Sequence, residues 1–263
     1  MTLRFLTWNI KTGGSGGRLG AVLALLQRER PDVLALQELR GFAQGGGRRM
    51  REVADALGMT PVLAPSIFGQ PVAVLVRSPL RIAGRSAVRW RLHHAAAVAV
   101  VPTSAGPLTV VSTHLNPFSP YRRLREARWL AARYASGLVL LAGDLNSLDP
   151  GTEHAARLAR LGERYRRRHL GPDGTADTRA IASLTAAGFT DLWRAAGDGG
   201  GHTTPTTAGG PEFSAVGMRL DYLMASAAVA AGATHAHVVR GDEAEYASDH
   251  YPLAVDLDLT APA

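Results

Sequence analysis

Residues 138–146 read LVLLAGDLN, five apolar residues followed by Gly143, Asp144, Leu145 and Asn146. A short apolar run bounded by turn formers reads as a buried strand, so the chain is expected to deliver a carboxylate to a strand end at Asp144. Such a group costs desolvation energy unless it is paired, protonated or bound to a metal. The same pattern recurs in LTWNI at 6–10, LALQEL at 34–39, RLDYLM at 219–224 and SDHYPL at 248–253. Glu38, Asp144, Asp221, Asp249 and His250 therefore predict one site assembled from strand ends, the pattern of a hydrolase core.

Working outward, residues 3–10 read as a strand followed by the glycine-rich turn KTGGSGG. Leu19, Val22, Leu23 and Leu26 share one face of a helix over 18–30, which Pro31 ends. An apolar strand at 33–37 and a helix at 47–57 follow. The runs at 72–76, 87–92, 95–101 and 108–115 are β-branched and separated by Pro, Gly and Ser, as in an antiparallel meander. A helix at 119–135, helical segments near 152–168 and 177–187, and strands at 219–224, 234–239 and 252–259 complete the reading. The Gly/Thr/Pro stretch at 197–211 is long for a loop inside a compact domain, and such loops are commonly functional or mobile. There is no internal repeat and no linker between composition regimes. The alternation predicts an α+β chain in one domain over 1–263, two packed sheets with helices outside.

Hydrophobic residues make up 46% of 263 residues, enough for a sizeable core. The absence of cysteine excludes disulfides, thiolate zinc sites and a cysteine nucleophile. No apolar run approaches the ~20 residues of a membrane span. MTLRFLTWNI enters a strand with no signal-peptide pattern, so a cytoplasmic monomer is expected. The net charge of +7 would attract phosphate-bearing partners. Yet Lys11 is the only lysine among 29 basic residues, and a chain so rich in Arg, Ala and Gly reflects codon bias as much as selection for nucleic acid. The clusters RRMR (48–51), YRRLREAR (121–128) and ERYRRRH (163–169) are accordingly expected to be solvated helix faces.

At these motifs the chain resembles the endonuclease/exonuclease/phosphatase superfamily, the DNase I-like hydrolases, over nearly its whole length. LTWNI, LALQEL, STHLN (112–116), LAGDLN, RLDYLM and SDHYPL match that family's motifs in order. The resemblance implies a four-layer αββα sandwich, two packed mixed sheets with outer helices, hydrolysing a phosphoester with a divalent metal, Mg2+ or Mn2+. It implies that Glu38 is the main metal ligand, with Asn9 beside it and Asp249 helping. Asp144 would orient or deprotonate water, and Asn146 would stabilise the equatorial oxygens. His250 would contact the phosphate as base or charged stabiliser, its tautomer fixed by Asp221. His114 would protonate the leaving oxygen or bind the phosphate.

Each assignment has a plainer alternative. GDLNSLDPG is full of turn formers, so Asp144 and Asn146, which share a face if the strand stays extended, could simply form a turn. Asp221 could pair with Arg219, and Asp191 and Trp193 read as structural. His235 and His237 share a strand face, but no third ligand lies near. His93 and His94, being adjacent, are expected to face opposite sides. GGSGG at 13–17 lacks the P-loop lysine. The chain also lacks the aromatic insertions expected of an abasic-site endonuclease, and FGQPVAVLV at 68–76 places Pro71 where the family has a glycine-rich approach. The preferred substrate is a small phosphodiester or phosphomonoester. A DNA or RNA nuclease is the alternative, and a silent binding module or a recruited non-hydrolytic enzyme is less favoured.

Overall fold

A computed structural model describes residues 2–209 and 217–259, so Met1 and residues 210 and 211 of the 197–211 stretch lie outside it. Among the described residues, two six-stranded sheets form. The first joins β1 (Thr2–Asn9), β2 (Val33–Gln37), β3 (Met59–Ala64), β4 (Val72–Arg77), β11 (Ala233–Val238) and β12 (Leu253–Asp258), in the order β11-β12-β1-β2-β4-β3. The second joins β5 (Gly84–Val88), β6 (Ala96–Thr103), β7 (Gly106–His114), β8 (Leu138–Asp144), β9 (Phe189–Asp191) and β10 (Asp221–Ser226), in the order β5-β6-β7-β8-β10-β9. β1 runs parallel to β2, as β7 does to β8, and the remaining pairs are antiparallel, so both sheets are mixed.

Alternation along the strands builds the layers. Val110, Leu140 and Leu223 point inward to the core shared with Phe5, Leu34 and Val74 of the first sheet. Their neighbours Val111, Leu141 and Met224 point outward beneath Leu130 and Ala131 of helix Pro120–Tyr134 and Ile181 and Leu184 of helix Arg179–Ala186. Helices Leu19–Glu29 and Arg48–Leu57 contribute Val22, Leu25, Leu26, Met50 and Val53 to the first core, covering the other sheet. The architecture is the αββα sandwich. Strands covered on both faces read as continuous apolar runs, which is why VLALQ and LVLLA carry no alternation.

Three readings need correction. The strand expected at 87–92 ends at Val88, and Trp90 to His94 form a bend. No strand was assigned at 59–64, where β3 forms; it contains Pro61 and lies at a sheet edge, where a proline is tolerated. Arg123 is fully buried within the cluster expected to be solvated, donating to the Asn116 and Arg168 carbonyls at 3.0 and 2.6 Å.

Candidate active site

Register sets the site in a row across one edge of the sandwich. His114 and Asp221 both lie opposite Asp144, on the strands that flank it, and Asn9 lies opposite Gln37, one residue before Glu38. Gly143 makes the row possible. Its φ is +144°, and a Cβ there would lie 1.9 Å from the Thr113 carbonyl oxygen, so only glycine lets β8 close on β7. The backbone then turns sharply: Glu38 (φ 59°), Lys11 (φ 48°) and Asn146 (φ 50°) all adopt the left-handed region. Such outliers persist where surrounding structure over-determines them.

Asp144 is buried at the centre. Its Oδ2 accepts from Asn9 Nδ2 at 3.0 Å, with His114 Nε2 at 3.5 Å and His250 Nε2 at 3.8 Å. Oδ1 accepts from the Asn146 N–H at 2.9 Å, so the residues after β8 do form the turn that GDLN also permits. The turn still leaves both Asp144 and Asn146 in the cavity wall. Burial pushes the Asp144 carboxyl above its ordinary value, partly offset by His250.

Glu38 has a different environment. Oε1 accepts from Asn9 Nδ2 at 3.1 Å, and Oε2 accepts from the Thr12 N–H at 2.9 Å and Gln70 Nε2 at 3.3 Å. All three donors are neutral, and the ion pairs nearby go to Asp144, Asp221 and Asp249 instead. Burial raises the Glu38 carboxyl, and Asp249 adds to the rise. Two carboxylates, Glu38 and Asp144, thus share one amide nitrogen as their bridge. Asp249 pairs with Lys11 Nζ at 3.3 Å, and Lys11 also donates to the Ala208 carbonyl at 3.3 Å.

His250 Nδ1 lies 2.8 Å from Asp221 Oδ2, and Asp221 is fully buried. Burial opposes charging of the imidazole, but Asp221 and Asp144 together outweigh it and hold His250 well above the usual histidine range. Thr203 of the 197–211 stretch supports this pair by accepting from the Leu220 and Asp221 N–H groups at 3.1 and 3.2 Å. Arg219 does not join Asp221. It sits between Asp191 at 2.5 Å and Asp149 at 3.5 Å, against the rings of Trp193 and Tyr222.

Two neighbouring histidines depart from their expected placement. In the bend at 90–94 the side chains no longer alternate, and His93 and His94 both line the cavity, contrary to the expectation of opposite faces. His94 lies 4.3 Å, ring to ring, from His114. Burial, with His250 nearby, pushes His114 down to about 3, so it is a neutral ring. Gln70 went unread, and only its place before Pro71 could have drawn attention. Lys11 was visible as the lone lysine but was assigned nothing. His235 and His237 stack at 4.7 Å, and among the described residues no third group completes a metal site there.

The cavity measures about 590 Å³ and is lined by Glu38, His114, Asp144, Asn146, Asp249 and His250, with Asn9 and Asp221 bonded behind them. Asp144, Asp221 and His250 bring ligand atoms within 4.8 Å of one another. That trio already carries its own positive charge on the imidazole, so it reads better as a hydrogen-bonded dyad than as a cation site. Glu38 fits a hard divalent cation by its chemistry: a half-buried oxygen donor that faces the cavity without a positive partner.

Solved structures with the same fold span nearly the whole chain. An endonuclease/exonuclease/phosphatase from Bacteroides vulgatus matches with TM-score 0.73 at 13% identity, covering 98% of this chain and 99% of that one. An AP endonuclease from Archaeoglobus fulgidus matches with TM-score 0.70 at 18% identity, covering 97% and 99%. A 3′ phosphatase from Neisseria, bound to a product DNA hairpin, matches with TM-score 0.67 at 20% identity, covering 97% and 99%. No curated protein matches in sequence. The model of the Endonuclease/Exonuclease/phosphatase family matches residues 6–250, from LTWNI to SDH, and the chain belongs to that family.

Proposed function

We propose that the protein is a divalent-metal-dependent phosphoesterase and that residues 1–263 act as one catalytic domain, a reading supported by β1 and β12 from opposite ends pairing in one sheet. The observation that carries the reading is Glu38, a carboxylate turned into the cavity beside Asp144 and held only by neutral donors. Glu38 and Asp249 would hold Mg2+ or Mn2+, and Asn9 would set the spacing of Glu38 and Asp144. When bound, the ion supplies charge neutralisation and polarises a phosphoryl oxygen.

This chain's own residues supply the rest. Asp144 is placed to take the proton of an attacking water, its unprotonated form favoured by His250. His250, kept protonated by Asp221, donates Nε2–H to a phosphoryl oxygen and stabilises charge as it develops. Asn146 spends one amide N–H on the Leu115 carbonyl at 3.2 Å and keeps the other for the phosphate. His114, being neutral, serves better as a hydrogen-bond donor than as a source of protons.

The ester is a phosphodiester or phosphomonoester. A small substrate fits within the cavity of about 590 Å³; a nuclease is the second reading, favoured by the similarity to the DNA-bound 3′ phosphatase and the AP endonuclease. The test is a screen of purified protein with Mg2+ and Mn2+ against bis-p-nitrophenyl phosphate, p-nitrophenyl phosphate, phosphorylated metabolites, single-stranded RNA and plasmid DNA. Turnover of at least one ester is expected only with metal. No turnover of any contradicts the reading.

A further inference from the structure

A second groove, of about 380 Å³, adjoins the catalytic cavity and shares Phe68 and His93 with it. Its walls are Trp90 and Trp129, and Arg91, Arg122 and Arg125 stand around it. None of these three arginines forms an ion pair among the described residues, whereas buried Arg219 is held by Asp149 and Asp191. The positive charge here is therefore available to an anion.

Aromatic rings are also displayed here. Among the described residues, six large apolar side chains are exposed; four of them, Ile67, Phe68, Trp90 and Phe118, sit on three loops near the groove, and Tyr121 follows in the first turn of helix Pro120–Tyr134. Trp90 is 80% exposed. Burying such rings elsewhere would stabilise the fold, so their display on one rim has to be explained by something that covers them. The rim is also pre-organised. Phe68 stacks on His93 at 4.3 Å and 16°, and His93 meets Phe118 edge-on at 5.8 Å. Buried Glu126 accepts from the His93 N–H at 2.6 Å and the Asn116 N–H at 2.7 Å, tying two of the loops together.

Stacking surfaces interleaved with unpaired arginines match a chain of alternating planar rings and phosphates. We propose that the groove is a subsite for one unpaired nucleotide flanking the reacting phosphate, its base on Trp90 and its phosphate between Arg122 and Arg125. The substrate is then the end of a single-stranded nucleic acid. This deepens the phosphoesterase reading and rests on it for the identity of the reacting phosphate. It also reverses the preference for a small substrate that the arginine-rich composition gave.

Binding in excess chelator tests the groove without hydrolysis. The wild-type protein should bind a five-residue oligothymidylate more tightly than thymidine monophosphate, with quenching of tryptophan fluorescence. Trp90→Ala should weaken oligonucleotide binding about ten-fold and remove much of the quenching, and Trp90→Phe should restore affinity. Arg122→Glu with Arg125→Glu should flatten the dependence of log affinity on log salt by about 0.7 for each phosphate no longer neutralised. Equal wild-type affinity for the two ligands, or unchanged affinity in Trp90→Ala, overturns the proposal. Turnover of bis-p-nitrophenyl phosphate is measured separately. Loss of turnover with binding intact would contradict the hydrolase reading alone, and turnover with no oligonucleotide preference would contradict the groove alone.

Discussion

His250 lies between two carboxylates, and its proton depends on them. Asp221 is the nearer, at 2.8 Å from Nδ1, so Asp221→Asn should let the imidazole fall toward its ordinary value. If protonated His250 is the working form, the alkaline limb of the kcat/KM profile should move to lower pH in that variant. A limb that stays in place would show that Asp221 does not hold the proton. The same pairing predicts non-additivity: Asp221→Asn with His250→Ala should cost little more than His250→Ala alone in single-turnover assays. Asp144→Asn should add its own loss to that of His250→Ala. At this scale the sequence was informative wherever a charged residue borders an apolar run, as at Glu38 and Asp144. It was silent on Gln70 and wrong in setting His93 and His94 on opposite faces, since these residues reach the cavity through loop conformation rather than through any pattern.

Strand ends hold these side chains, and their tolerance is small. Gly143→Ala should destabilise the protein by about 3 kcal/mol or more, since its Cβ meets the Thr113 carbonyl and its φ is disfavoured. A thermal midpoint unchanged from wild type would mean that β8 can shift without penalty. Helix Pro120–Tyr134 supplies a different device in Glu126, whose carboxyl burial pushes up to about 7. A carboxyl raised on folding binds its proton more tightly in the folded state, so its contribution to stability is full below about pH 4.5 and is lost as pH rises through about 7. The stability advantage of wild type over Glu126→Gln should therefore shrink between pH 5 and pH 8, by up to about 3 kcal/mol. A constant difference across that range in denaturant titrations would contradict it. Elements covered on both faces were legible as unbroken apolar runs. β3 and the bend at 90–94 were not, because an edge position excused Pro61 and nothing local distinguishes AVRWRL from a strand.

At the scale of the whole molecule, the αββα arrangement follows from the spacing of apolar runs and from six motifs met in order, and strands from both chain ends converge on one edge. Charge was the least legible property. The sequence counts 29 basic residues, but only the fold separates buried Arg123 and Arg219 from Arg122 and Arg125, which stay free at the groove. Convergence also concentrates Glu38, Asp144, Asp221 and Asp249 in one region, where the proposed divalent cation would offset charge that Lys11 and His250 only partly balance. Glu38→Ala should accordingly lower metal affinity and turnover by about two to three orders of magnitude. The most direct test follows the rate of phosphoester hydrolysis as Mg2+ is titrated into chelator-stripped wild-type protein. The expected result is no hydrolysis in excess chelator and a saturable return of activity with added metal. Full activity in excess chelator would contradict the account.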